Sequence, residues 1–356
     1  MQTRTNVYQL LAIAVFIGVI LYFARNILAP IAIAGVLAML FVAPSNRLER
    51  HKIPRWATAL LAIIVLVLAA IGLFFLLNWQ LQSFSDNLDA IKKNVMEVLT
   101  RVQEWVDDSF GIDKDQQKAI AQEEMKAGQQ TIGLTTSFAV GFFSMSVDTL
   151  LVFVYTYLLL FYRARIKNFI LKLSKDTGRA KTQDILESST QVAAKYVSGL
   201  AKMIVVLWIL YGIGFSAIGV ENALFFAILC GLLELIPFVG NLTGTGITIL
   251  GVIAQGGESG MILLVIAIYA LVQFIQTYLL EPLIVGNEVN INPLFVIVGL
   301  VVAEAIWGIS GMVLAIPAIG ICKIICDRID SLKPYGYLIG TEKKKRLNLK
   351  KKSINR

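Results

Sequence analysis

Glu234, Asn241, Gln273, Gln276, Glu281 and Glu304 stand in stretches of chain otherwise made of Leu, Ile, Val, Phe, Ala and Gly. In lipid each such group is expensive. A charged side chain at the bilayer centre costs roughly 2.5–3.5 kcal/mol on insertion scales, so it faces a pathway or a partner. Gln273 and Gln276 are three apart on one helix face, and Glu281 follows five residues on, directly before Pro282. Carboxylates and amides gathered in this way can hold a small polar solute or a monovalent cation. A carboxylate that releases its proton as the solute binds would couple movement to a proton or sodium gradient, with no cofactor required. Glu281 and Glu288 are also expected near water, where simple solvation accounts for them equally well.

The backbone around these groups carries its own signal. Gly231-Leu-Leu-Glu-Leu-Ile236-Pro237-Phe-Val-Gly240 and Gly311-Met-Val-Leu-Ala-Ile316-Pro317-Ala-Ile-Gly320 share the spacing G-x4-I-P-x-x-G, 80 residues apart. Residues 223–254 as one helix would run about 48 Å, against a hydrocarbon core of about 30 Å. Pro237 removes a backbone donor, and Gly240, Gly244 and Gly246 follow, so a break is expected at 237–244, with Pro317 marking a second in 294–322. Freed backbone groups cannot face lipid and must be buried or line a wet cavity. Two arrangements fit: kinked single crossings, or re-entrant hairpins. For 223–254 the hairpin is favoured, and two hairpins would make the C-terminal half an inverted repeat of span plus hairpin, a transporter device.

The elements that must position these groups are legible from composition. Of 356 residues, 57% are hydrophobic and 16% charged, with mean hydropathy +0.72. Soluble chains carry about 25% charge, so the bilayer is the solvent here. Apolar segments fall at approximately 7–24, 27–43, 57–77, 138–162, 197–219, 223–254, 261–281 and 294–322. The reading is an all-α integral membrane protein with about eight membrane segments, two of them broken or re-entrant. The first is a retained helix, too long for a signal-peptide core of about 7–15 residues.

Charge orients the chain. Residues 44–56 hold Arg47, Arg50, Lys52 and Arg55 against Glu49 alone; 163–195 hold eight basic residues against three acids, and the stretch from 323 holds eleven against three. Short basic loops stay in the cytoplasm, which puts both termini inside and the acidic 78–137 segment outside. That segment carries an apolar seam, Leu81, Phe84, Leu88, Ile91, Val95, Val98, Val102 and Trp105, with a second helix expected over 114–130. The seam packs within the chain or against a second copy in a homo-oligomer. The expected organisation is three N-terminal spans (1–77), the external helical segment (78–137), a transport core (138–322) with a cytoplasmic loop (163–195), and a basic tail (323–356) suited to anionic lipid; nothing about it points to nucleic acid. Lys202 can snorkel to the surface, and Arg25 reads as an interfacial anchor.

Enzyme chemistries find little purchase. Gly308-Ile-Ser310-Gly311 spells the nucleophile signature of some intramembrane proteases, but the sole histidine, His51, lies in a basic loop, so these small residues read as close helix packing. There is no H-E-x-x-H and no G-x4-G-K-[ST], and Cys230, Cys322 and Cys326 form neither a disulfide framework nor a metal set.

Glu234-Leu-Ile-Pro237-Phe-Val-Gly240, Gln273-x7-Glu281-Pro282-Leu-Ile-Val-Gly286, Asn292-Pro293-Leu294 and Trp307-Gly308-Ile-Ser-Gly311-Met-Val-Leu-Ala-Ile-Pro317, in that order, resemble the autoinducer-2 exporter family of bacterial membrane proteins. Ile53-Pro54-Arg55 and Leu332-Lys-Pro334-Tyr-Gly336 fit the same likeness, which covers nearly the whole chain. The resemblance implies a multi-pass transporter of the bacterial cell membrane. Relatives include exporters of the furanone autoinducer-2 and sodium(lithium)/proton antiporters. Two positions depart from the family pattern: Gln276 stands where an acid is common, and Ala303-Glu304 where a Gly-Gly pair is common. The leading expectation is export of a small polar solute through a site lined by Glu234, Asn241, Gln273, Gln276 and Glu304, shaped by breaks at Pro237 and Pro317. The alternatives are a cation/proton antiporter in which Glu234 or Glu304 carries the proton, and a non-transporting scaffold.

Overall fold

The computed structural model describes residues 7–85, 134–174, 178–237, 239–257, 259–285 and 291–341. The described residues are helical apart from turns, short connections and one isolated bridge between Ile291 and Gly340. The helices are α1 (Val7–Phe23), α2 (Arg25–Arg50), α3 (Arg55–Ser85), α4 (Leu134–Leu173), α5 (Arg179–Ala217), α6 (Ala223–Leu233), α7 (Val239–Ala254), α8 (Ser259–Ile275), α9 (Pro293–Trp307), α10 (Ile309–Arg328) and α11 (Lys333–Ile339). Beyond α8 the chain continues as a π-helix over Gln276–Val285. The apolar seam is described only where α3 carries it to Ser85; the rest of it and the second helix expected at 114–130 lie outside the described residues.

Six stretches are long and apolar enough to cross a membrane: Arg25–Arg50, Arg55–Leu76, Asp148–Leu173, Arg179–Ala217, Gly260–Glu281 and Ile309–Arg328. The chain is an all-α membrane protein. Its longest described span, α5, is 39 residues, about 58 Å. That exceeds the bilayer by many turns, so its polar first third projects beyond the lipid.

Residues 223–254 form a hairpin. Helices α6 and α7 have 11 and 16 residues, each too short to span alone. Their contacts run antiparallel: a Cβ at Gly240 would meet the Leu233 carbonyl, one at Gly244 would lie 3.1 Å from Cys230 Cα, and one at Gly251 would lie 2.1 Å from Phe226 Cζ. Cys230 Sγ and Thr248 Oγ1 sit 3.5 Å apart across the same interface. The break begins at Glu234, slightly earlier than the expected 237–244, because Glu234 already caps α6 and the Gly240 N–H turns back to the Ile236 carbonyl at 2.9 Å.

Residues 294–322 also fold back, and here the expected break at Pro317 is corrected. Pro317 lies inside the uninterrupted α10; the chain reverses at Gly308, whose φ 60° and ψ −140° suit glycine and strain any L side chain. A Cβ at Gly311 would lie 1.9 Å from the Ala303 carbonyl oxygen, and one at Gly299 would lie 2.3 Å from Ile319 Cδ1. The G-x-S-G residues are therefore close-packing residues at a hairpin tip. Span plus hairpin occurs twice, as α5 with α6–α7 and α8 with α9–α10. The two G-x4-I-P-x-x-G copies are not equivalent within it: one straddles a tip, the other lies in a helix.

The main core joins α5, α6, α7 and α8 through Leu207, Tyr211, Phe215, Phe226, Val252 and Val265, with Ile316 of α10 packed against it. Lipid is as apolar as these side chains, so close packing supplies the cohesion. A smaller cluster sets Ala38 of α2 and Ala59 and Ala62 of α3 against Leu160 of α4.

Helices α1 and α2 are separated by Ala24 alone, at φ −89° and ψ 13°. The Ala24 N–H bonds back to Ile20 and its carbonyl accepts from Leu28, both at 2.9 Å, so the helical ladder nearly continues. The carbonyl of Leu21 receives the Trp307 indole N–H at 2.9 Å, from the tip of the second hairpin.

Candidate functional site

The first hairpin tip is fastened to the end of α8 by two side-chain pairs. Gln276 Nε2 donates to Glu234 Oε1 at 2.6 Å, and Asn241 Nδ2 donates to Gln273 Oε1. Each residue owes its place to local structure. Glu234 is the first residue past α6, Asn241 sits in the first turn of α7, and Gln273 sits in the last turn of α8. Gln276 opens the π-helix, a geometry that recurs at functional sites.

The cluster is deep. Gln276 is 1% exposed and Asn241 9%, while Glu234, Gln273 and Pro237 are half-buried and Gly240 is buried. Gln276 Oε1 is buried and has no hydrogen-bond partner among the described residues. A buried amide oxygen without a donor is costly, so this atom is suited to accept from a donor or to face a cation. Glu234 has a second carboxylate oxygen beyond the one bonded to Gln276, so the site holds more acceptors than donors. Tyr211, Tyr269, Cys230 and Glu281 lie within electrostatic range of Glu234.

The structure unites only part of the expected set. Glu234, Asn241, Gln273 and Gln276 meet, with Pro237 and Gly240 forming the tip between them. Glu281 is exposed on the π-helix. Glu304 is exposed on α9, and no hydrogen bond or ion pair of its carboxylate joins it to the cluster among the described residues. Pro317 is buried in α10, away from any break. The π-helix escaped sequence reading; its signal was the Gln276-to-Pro282 spacing, where proline removes a donor from the regular ladder.

The remaining motifs have local structural jobs. Asn292 caps α9 by accepting the Leu294 N–H at 3.0 Å, with Pro293 in the first turn, and its own N–H bonds to Ile339 at 2.8 Å. The Pro54 carbonyl opens α3 by accepting from Ala57 and Thr58. Gly336 admits Asp327, whose Oδ1 would stand 2.3 Å from a Cβ there.

At the basic ends of the helices, ion pairs hold the bundle. Glu49 of α2 receives Arg163 of α4, Thr58 of α3 at 3.2 Å and Arg55 at 3.6 Å. Asp184 of α5 pairs with Arg328 of α10, and Lys181 reaches Asp330 at 3.0 Å. Lys333 also bonds to Asp330, at 2.7 Å. Lys333 and Lys181 together hold the Asp330 carboxyl down to about 2.

Known proteins resemble this sequence along most of its length. "Putative transport protein YrrI" of Bacillus subtilis is 24% identical over 312 residues, covering 85% of this chain and 86% of that protein. "Putative permease PerM" of Escherichia coli is 26% identical over 315 residues, covering 86% and 88%. A "Putative transport protein" of Borreliella burgdorferi is 25% identical over 347 residues, covering 94% and 90%. The family model for AI-2E family transporters matches residues 11–331. The match takes in both hairpins and the residues at the first tip, and the chain belongs to the AI-2E transporter family.

Proposed function

We propose that this protein is a secondary transporter that exports a small polar solute, of the size and polarity of the furanone autoinducer-2, by alternating access at the tip of the first hairpin. The observation that carries the reading is the buried pair of cross-links, Glu234 to Gln276 and Asn241 to Gln273, with Gln276 Oε1 unpartnered among the described residues. A hydroxyl-rich solute offers the donors this surplus of acceptors lacks. Exchanging the two cross-links for solute contacts would free the tip from α8, which is the kind of local change alternating access needs. On this reading the basic helix ends, with both termini, face the cytoplasm.

The same surplus of oxygen acceptors supports a second reading, a sodium or lithium/proton antiporter in which Glu234 carries the proton. Protonated Glu234 would donate to Gln276 Oε1, and ionised Glu234 accepts from Gln276 Nε2, so the amide serves both states. Glu304, exposed on α9, is a weaker proton carrier than Glu234 on this geometry.

Proteoliposomes separate the two. Efflux of labelled autoinducer-2 that Glu234→Gln abolishes supports the exporter. Sodium-dependent proton release with no solute flux sinks it in favour of the antiporter. A protein active in neither assay, whose loss alters only the assembly of other membrane proteins, would favour the scaffold.

A further inference from the structure

Where α3 begins and α4 ends, Arg55, Ala164, Arg165, Asn168, Phe169 and Lys172 line an open groove of about 480 Å³. Arg165, Asn168, Phe169 and Lys172 follow the spacing i, i+3, i+4, i+7, which places all four on one face of α4. Arg55 closes the groove from the first residue of α3. The charge is unbalanced: the nearby carboxylate, Glu49, is already engaged by Arg163, Thr58 and Arg55. Arg165 and Lys172 have no acidic partner among the described residues. Three cations with a planar amide beside them form a site for a phosphate-type anion.

A second observation says what carries the anion. Leu150, Val154, Leu158, Tyr162, Ile166 and Phe169 recur at steps of three or four along α4 and are all exposed. They make a continuous apolar stripe that leaves the groove and runs along the membrane-crossing part of the same helix. Trp56, 55% exposed beside Arg55, is the amphipathic ring expected at a membrane interface. A soluble phosphate would use the cations and ignore the stripe. A phospholipid uses both, with its headgroup in the groove and its acyl chains along the stripe.

We infer that this groove is a binding site for the headgroup of an anionic phospholipid in the leaflet that meets the basic helix ends. The site is separate from the Glu234 cluster and does not depend on what the protein transports. Because it bridges α3 and α4, an occupied groove would tie those two helices together at one end.

The test uses the full chain in nanodiscs of phosphatidylcholine with a minor fraction of phosphatidylglycerol, reading the lipid retained after extraction by native mass spectrometry. The wild type should retain phosphatidylglycerol above its bulk fraction. Arg165→Gln and Lys172→Gln should each reduce that enrichment by about fivefold, since one basic residue near the surface contributes on that order. Arg47→Gln with Arg50→Gln, outside the groove, controls for general surface charge. All variants must elute as monodisperse protein, and Arg165→Lys should rescue part of the effect. Equal loss in the control pair, unchanged retention in the groove variants, or displacement of the lipid by soluble glycerol phosphate at matched concentration would each overturn the assignment.

Discussion

Gln276 gives its amide N–H to the carboxylate of Glu234 at 2.6 Å, joining the π-helix to a hairpin tip 42 residues earlier in the chain. With Glu234 ionised it is a hydrogen bond to a charged group, about twice as strong as a neutral one. Glu234→Gln keeps the shape but removes the charge. Transport in proteoliposomes should fall at least tenfold while expression and monodispersity stay at wild-type levels. Glu234→Ala should also lower thermal stability, by about 1–3 kcal/mol, because it strands the whole Gln276 amide.

The Asn241 and Gln273 pair makes a clean thermodynamic cycle. Asn241→Leu or Gln273→Met alone leaves the partner buried and unsatisfied, and should cost about 1–3 kcal/mol. The double variant should recover part of that loss, with a coupling of about 0.6 kcal/mol, the average for hydrogen bonds between membrane helices. Unfolding in detergent followed by tryptophan fluorescence checks it. Strict additivity would mean that the bond contributes nothing.

Gly240 and Gly246 lie six residues apart on α7 and face different surroundings. A Cβ at Gly240 would stand 1.6 Å from the Leu233 carbonyl oxygen, whereas one at Gly246 meets nothing within 4 Å. Gly240→Ala should wedge the tip open and abolish transport. Gly246→Ala should be neutral, or stabilising by about 0.5–1 kcal/mol through helix propensity. Flux and melting temperature measured on both variants decide the matter.

Asp330 titrates far below an ordinary aspartate because Lys333 and Lys181 bond to its ionised form. A carboxyl depressed in the folded state supports the fold above its unfolded pKa and loses that support as pH falls through the folded value. The link between α5 and the end of α10 should therefore be unaffected from neutral pH to about 4 and weaken towards about 2. Carboxyl carbon NMR of labelled aspartate should place the midpoint there, and Lys181→Gln with Lys333→Gln should move it back up. Because the group is exposed, raising the salt concentration should have the same direction of effect.

Much of this was legible in the sequence, and for identifiable reasons. Lipid forbids unsatisfied backbone, so helix positions followed from apolar length, and the 32-residue run at 223–254 had to break near its proline and glycines. Four of the polar residues meet as their cost in lipid demands. What escaped were features set by long-range packing. Pro317 sits inside α10 because nearby Gly308 offers a cheaper place to reverse the chain. Glu304 is exposed because α9 turns that face away from the α5–α8 core, a rotation no local pattern encodes. The π-helix depends on how α8 meets the hairpin tip, and the one-residue junction at Ala24 on how α1 meets the second hairpin.

The bond from the Trp307 indole to the Leu21 carbonyl also sets an order of events during synthesis. Leu21 is made early, with a carbonyl that Arg25 does not satisfy, and its partner is 286 residues away. At about 5–20 residues per second, that partner is made roughly 15–60 s later. For that interval the Leu21 carbonyl must find a temporary donor or be sheltered by the insertion machinery. The junction at Ala24 is thus completed late, by a donor from the other end of the chain.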